Sequence, residues 1–187
     1  MRLMYAGHLA AGLAIRAKEP RAPGWAVLLG AVFVDLLFGI FVVSGIERVT
    51  MTPGVSPGFS LTYIDWSHSL VMCLIWALLF SLPFWRQGRG VALAVGFAVF
   101  SHFLLDLLMH PPDLALWPGS KIHLGLGIWT RFPHGWWWIE LAFVAACLAY
   151  YLARARRLKT FGGHGVWACV FVILLHIGNS PWLSLTR

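Results

Sequence analysis

Charge is what this sequence has least of. Only 11% of its 187 residues are charged while 59% are hydrophobic, against about 25% charged in a soluble domain, which excludes an ordinary water-soluble fold. Cysteine is nearly as sparse. Cys73, Cys147 and Cys169 are an odd number, lie inside apolar runs and form no Cys-x-x-Cys pair, so a disulfide framework and a zinc ribbon are both excluded. No His-Glu-x-x-His motif marks a zincin, and no nucleophile elbow surrounds Ser67 or Ser69, so serine hydrolase chemistry is set aside. Internal repeats, low-complexity tracts and linkers are also missing, and residues 1–187 read as a single integral-membrane domain. The balance is basic, with 14 Lys and Arg against 7 Asp and Glu. Most of that charge lies in short loops between apolar runs, where it orients a chain in lipid and does not point to nucleic acid.

What is present is a succession of six apolar stretches: roughly Leu3 to Ile15, Trp25 to Ser44, His68 to Trp85, Gly90 to Leu108, Gly135 to Ala153 and His164 to Ile177. A membrane span needs about 20 residues, and about 17 is the low end. The middle four reach that length; the first and last are short and must tilt or lean on neighbours. The expected fold is an all-α, polytopic membrane bundle of about six helices, two of them short. Arg2 ahead of an apolar run is also how a signal peptide starts, but His8 interrupts that run and Arg16, Lys18 and Arg21 after it oppose export. The loops after the first, third and fifth stretches carry nine basic residues: Arg16, Lys18, Arg21, Arg86, Arg89, Arg154, Arg156, Arg157 and Lys159. The other side has five, spread over longer segments: Arg2, Arg48, Lys121, Arg131 and Arg187. Basic residues concentrate in cytoplasmic loops, so the reading is a multi-pass protein of the cytoplasmic (inner) membrane with both termini outside. Trp25, Trp85 and Trp167 then mark the inner interface, and Trp66, Trp136, Trp137, Trp138 and Trp182 the outer one.

With that orientation the ionisable residues gather on one side. Seven of eight histidines fall on the outer half (His8, His68, His102, His110, His123, His134 and His176), as do six of seven acids (Asp35, Glu47, Asp65, Asp106, Asp113 and Glu140). A carboxylate in hydrocarbon is expensive unless paired, so intramembrane acids are functional candidates. In the fourth stretch His102, Asp106 and His110 are each four residues apart, so they form one helical stripe. Imidazoles flanking a carboxylate on one face suit a divalent cation, and equally suit a hydrogen-bonded helix contact. Asp35, mid-helix with no cation in its segment, is the acid hardest to explain as packing. Ser67 reads as an N-cap opening the third helix ahead of His68. His8 sits one turn or so below the surface among alanines, and Glu140 either pairs with His134 or serves as a ligand. Mixed imidazole and carboxylate donors suit zinc, with manganese or iron as alternatives, whereas an all-oxygen set would favour magnesium. The candidate ligands are His8, Asp35, Asp65, His68, His102, Asp106 and His110. They exceed the four of one structural zinc, so either two metals bind or some of these groups orient others.

Gly7-His8, Asp35, His68-Ser69-Leu70 and Ser101-His102-x-x-x-Asp106, in that order and spacing, resemble the bacterial membrane-bound metal-dependent hydrolase family (the YdjM-like group). The segment His110-Pro111-Pro112-Asp113-Leu114-Ala115-Leu116-Trp117-Pro118, with Gly125-Leu126-Gly127-Ile128-Trp129 and Glu140, resembles a branch of similar small membrane proteins. The likeness spans Gly7 to Glu140. It implies a helical bundle distantly similar to zinc-dependent phospholipase C and its nuclease relatives, and metal-dependent hydrolysis. The family's second-helix Asp-x-Asp-His is reduced here to Asp35, with Leu37 at the second acidic position. Its His-Arg-Gly is replaced by Tyr63-Ile64-Asp65, leaving Asp65 and His110 as the residues that would compensate.

The expected function is therefore a membrane-embedded hydrolase of a phosphoester or lipid-linked substrate at the outer face, with Asp65 or Glu140 as the general base. The long, Pro- and Gly-rich outer segments Gly45 to Ser67 and Pro111 to His134 would cover the site. Two rivals stand beside it. A metal or proton transporter would need polar groups continuing to the inner face, where the sequence is nearly all apolar. A catalytically inactive structural membrane protein would explain the missing family residues.

Overall fold

The computed structural model describes residues 5–51, 59–133, 135–159 and 162–182. Arg2, His134 and Arg187, which enter the reading above, lie outside the described residues. Among the described residues eight α-helices dominate: α1 Tyr5–Lys18, α2 Gly24–Val43, α3 Asp65–His68, α4 Leu70–Ser81, α5 Arg89–Met109, α6 Ile128–Arg131, α7 Gly135–Arg157 and α8 Gly163–Gly178. A 3-10 turn over Leu82–Gln87, with Pro83 near its start, extends α4. Among the described residues four segments are long and apolar enough to cross a membrane: Gly24–Val43, Leu70–Gln87, Arg89–Met109 and Gly135–Arg157. At 14 and 16 residues α1 and α8 are shorter.

The expected outer loops are partly β-structure. Strands β1 Arg48–Met51 and β2 Phe59–Tyr63 pair antiparallel, and β3 Leu114–Ala115 pairs with β4 His123–Leu124. Segments of this length in a compact chain normally acquire structure of their own. Glycine fixes two of the turns. Gly45, at φ +73, ends α2 in the left-handed conformation usual just past a helix C-terminus, and the following Ile46 and Glu47 amides return to the Phe41 carbonyl. Gly125, at φ +146, passes so close to His110 that a Cβ there would lie 2.6 Å from its carbonyl oxygen.

The expected third helix is broken. Ser69 is extended (ψ 152) between α3 and α4, and the Val71 amide at the start of α4 donates to the Leu116 carbonyl beside β3. The break lets His68 leave the axis of α4. Helix α5 is the centre of the bundle, with 61% of its span buried against 22–28% for the other three. It ends where Pro111 forbids continuation. His110 is already extended, yet its amide still donates to the Asp106 carbonyl. That bond keeps His110 on the stripe of His102 and Asp106.

Small residues bring the helices together: a Cβ on Gly12 would lie 3.3 Å from Ala31 Cβ, and one on Gly30 3.3 Å from Ala98 Cβ. Large apolar side chains are turned outward, including Trp25, Ile40, Val43, Leu93, Phe97, Trp167 and Leu174. Trp136 is the exception among the expected interface tryptophans. It is 1% exposed and packs with Ala11, Leu105 and Met109, because its place in the first turn of α7 faces α1 and α5.

Candidate metal centre

Four elements deliver side chains to one place. α1 supplies His8, α2 Asp35, α3 His68 and α5 His102 and Asp106, with His110 at the end of α5. All but Asp35 are buried, and Asp35 retains 13% side-chain exposure. Asp106 is the hub. Its Oδ1 lies 3.4 Å from His8 Nε2 and 3.9 Å from His110 Nε2; its Oδ2 lies 3.2 Å from His102 Nε2 and 3.7 Å from His68 Nε2. Asp35 Oδ1 completes the group at 3.6 Å from both His68 Nε2 and His102 Nε2. The rings of His8 and His102 stack, with centroids 3.8 Å apart.

The far nitrogens show what these rings are held for. His102 Nδ1 donates to the Ala31 carbonyl at 2.9 Å. His68 Nδ1 meets Ser67 Oγ at 2.6 Å, and that hydroxyl in turn contacts both Glu47 carboxylate oxygens at 2.7 and 2.9 Å. His110 Nδ1 donates to Asp113 Oδ1 at 3.0 Å. A ring whose Nδ1–H is tied in this way presents an Nε2 lone pair, which is how metal-binding histidines are oriented.

The residues fit a divalent cation. Most Nε2–carboxylate separations exceed a normal N–H···O bond of about 2.7–3.2 Å, and His102 Nε2 is buried with no hydrogen-bond partner. Nitrogen and oxygen ligands bound at about 2.0–2.1 Å around a tetrahedral ion lie roughly 3.3 Å from one another. Among the described residues two groups bring one ligand atom each within 4.8 Å of one another, His8 with His102 and Asp106, and Asp35 with His68 and His102.

Two of the expected site residues are not brought in. The Asp65 carboxylate has another partner: its Oδ2 accepts the Gly119 amide of the β3–β4 turn at 2.9 Å, beside a cavity of about 420 Å³ that Asp113 and His123 also line. Of Asp65 and His110, His110 lies 3.9 Å from Asp106 Oδ1 and Asp65 makes no ion pair with the cluster among the described residues. Glu140, fully buried, accepts the Gly7 amide at 3.0 Å and lies 3.5 Å from His176 Nδ1. It anchors the first turn of α1 next to His8 and is not among the residues of the two ligand groups. Its expected alternative partner, His134, lies outside the described residues.

Glu47 and Asp113 were legible only as outward-facing acids, and Ser67 only as a helix cap. In the fold Ser67 lies inside α3, and its hydroxyl bridges Glu47 to His68. Glu47 is 20 residues from Ser67, so no local spacing announces the contact. Burial pushes the Glu47 carboxyl above the usual range, and the Ser67 hydrogen bonds only partly offset it. At His110 burial opposes charge, but the Asp113 hydrogen bond and the nearby Asp106 outweigh it and raise its pKa.

Compared with known proteins, the chain matches no family model, no curated protein and no solved structure.

Proposed function

We propose that this protein is a membrane-embedded, metal-dependent hydrolase whose site lies toward the outer face of the cytoplasmic membrane. The observation that carries the reading is the arrangement around Asp106: three histidines with tied Nδ1 atoms turn their Nε2 atoms on two carboxylates at ligand-to-ligand distances. His8, Asp35, His68, His102 and Asp106 would hold the metal, and zinc suits the mixed donors best. The two Asp106 oxygens face different histidines, Oδ1 toward His8 and His110 and Oδ2 toward His102 and His68, so Asp106 would be the central carboxylate ligand. When bound, such a metal lowers the pKa of a coordinated water toward about 7 and polarises the bond under attack. His110 and Asp113 sit at the rim, Asp113 with 31% side-chain exposure. They form a pair able to hold a proton at Nδ1 and exchange it with solvent, the role first sought in Asp65 and Glu140.

The membrane setting is supported by the four long apolar segments and the outward-facing apolar side chains. The C-terminal half of α1, the start of α5 and the C-terminal part of α7 line one shared cavity. The basic loops therefore gather at one end, as a cytoplasmic face requires. This supports the reading of six spans, counting the short α1 and α8, with both termini outside. A phosphoester or lipid-linked substrate follows from location and resemblance. Transport is disfavoured by a specific feature: toward the basic end the described core contains the apolar cluster of Ala22, Ala26, Val27, Phe84, Val91, Ala92, Val95 and Ala98.

The test is elemental analysis of the purified protein followed by a phosphoester panel with and without chelator. Bound zinc and chelator-sensitive hydrolysis are expected. Bound metal without hydrolysis of any substrate would favour an inactive structural protein, and no bound metal would remove the chemical basis. Reporter fusions after Arg89 and Arg157 should read as cytoplasmic.

A further inference from the structure

We infer that Glu47 and Ser67 are positioning residues that dictate the tautomer of His68, tying the metal centre to the segment between α2 and β1. The inference rests on the metal-site reading for its purpose, but its physical content can be measured without metal.

The case is one of proton counting. Glu47 leaves the end of α2 with its amide on the Phe41 carbonyl, so its place is set by the helix terminus. Its carboxylate is 2% exposed, accepts the Ser67 amide at 2.7 Å and lies 2.7 and 2.9 Å from Ser67 Oγ. An ionised carboxylate only accepts, and a serine hydroxyl has one proton. Ser67 Oγ must spend that proton on Glu47, and the competing Ile64 carbonyl is farther away at 3.3 Å. Toward His68 the hydroxyl is left only as an acceptor. His68 Nδ1, 2.6 Å away, must therefore carry hydrogen. The Nε2 atom then presents its lone pair to the space it shares with the Asp35 and Asp106 carboxylates, 3.6 and 3.7 Å away and beyond a normal N–H···O bond, the orientation a ligand needs. A neutral amide at position 47 removes this constraint. Its NH2 can donate to Ser67 Oγ, the serine proton can turn to His68 Nδ1, and the ring can move its hydrogen to Nε2, where it blocks coordination.

The experiment uses the full-length protein in detergent, with histidine side-chain 15N–1H correlation spectra of the metal-stripped form and zinc competition titrations. In the wild type, His68 is expected as the Nδ1–H tautomer. Glu47→Gln should shift it toward Nε2–H and weaken zinc about 10–100-fold. Ser67→Ala should also lose the preference, while Ser67→Thr, which keeps the hydroxyl, should retain it and bind zinc as the wild type does. Thermal melts of each variant identify any that fail to fold, and Ser67→Thr then decides alongside the wild-type spectrum. An Nε2–H tautomer in the metal-stripped wild type, or an unchanged ring in folded Glu47→Gln, overturns the inference. A wild type that binds no zinc but shows Nδ1–H on His68 defeats the metal reading and leaves the tautomer assignment standing.

Discussion

Helix α1 touches two buried groupings of histidine and carboxylate made from the same chemical parts. Around Asp106, four imidazoles face two carboxylates, and three of the four have their second nitrogen tied to a carbonyl, a serine or an aspartate. Beside Gly7, Glu140 faces His176 at 3.5 Å, yet neither His176 ring nitrogen has a hydrogen-bond partner, and the ring is instead stacked on Trp137 with centroids 4.4 Å apart. Burial does not separate the two, since both are nearly inaccessible. What separates them is support. Tied nitrogens fix where a lone pair points, and in the first grouping only His8 lacks one, its ring held instead by its stack on the tied His102; His176 has no tied neighbour and is held as a flat apolar body against Trp137.

The sharpest way to break this contrast is to remove ligands from the first grouping. His102→Ala and Asp106→Ala should abolish bound metal, because His102 belongs to both ligand groups and Asp106 offers an oxygen to each side. The loss should exceed the roughly 10–100-fold typical of residues that merely orient ligands. The variants should still insert and remain helical, since small-residue packing holds the bundle. Full metal content in both would make the cluster structural.

The second grouping should respond in stability and not in metal. Glu140→Ala removes the acceptor of the buried Gly7 amide and should cost about 1–3 kcal/mol, read as a lower midpoint in a reversible detergent unfolding assay. His176→Leu removes a buried polar ring that makes no side-chain hydrogen bond, so stability should hold or rise. Metal loss on His176→Leu would show that the two groupings are one site.

A pH series sharpens the comparison at a smaller scale. His110 has a folded pKa raised above its ordinary 6.5. The stability it contributes is therefore complete below about 6.5 and lost as pH rises through the folded value. Metal-free protein should lose stability over that window, and Asp113→Asn should flatten the slope. A slope unchanged by the substitution would mean that Asp113 does not hold the ring's charge.

These contrasts also explain what could be read from the chain. The stripe of His102, Asp106 and His110 was visible because helical spacing alone puts the three on one face, and Asp35 because depth alone makes an unpaired acid costly. The four long helices followed from length and hydropathy. Asp65 and Glu140 resemble site residues at the level of depth, and only the fold shows that the Gly119 and Gly7 amides engage them. The hairpins, the Ser69 break and the link from Glu47 to Ser67 depend on contacts between distant segments, which leave no periodic trace.

The smallest expected effect belongs to His164. It is exposed in the first turn of α8, whose start meets α7 where a Cβ on Gly165 would touch the Tyr151 hydroxyl. That is the end of the bundle bearing Arg154, Arg156 and Arg157, away from the Asp106 cluster. The residue has neither the burial shared by the ligand histidines nor the tied nitrogen of His68 and His102. His164→Ala should leave metal content unchanged and shift stability by no more than about 0.5 kcal/mol, as exposed substitutions generally do. It is thus the control for removing an imidazole as such. If metal content fell with this substitution as it does with His102→Ala, binding would follow the number of histidines and not their support, and the distinction between the two buried groupings would lose its meaning.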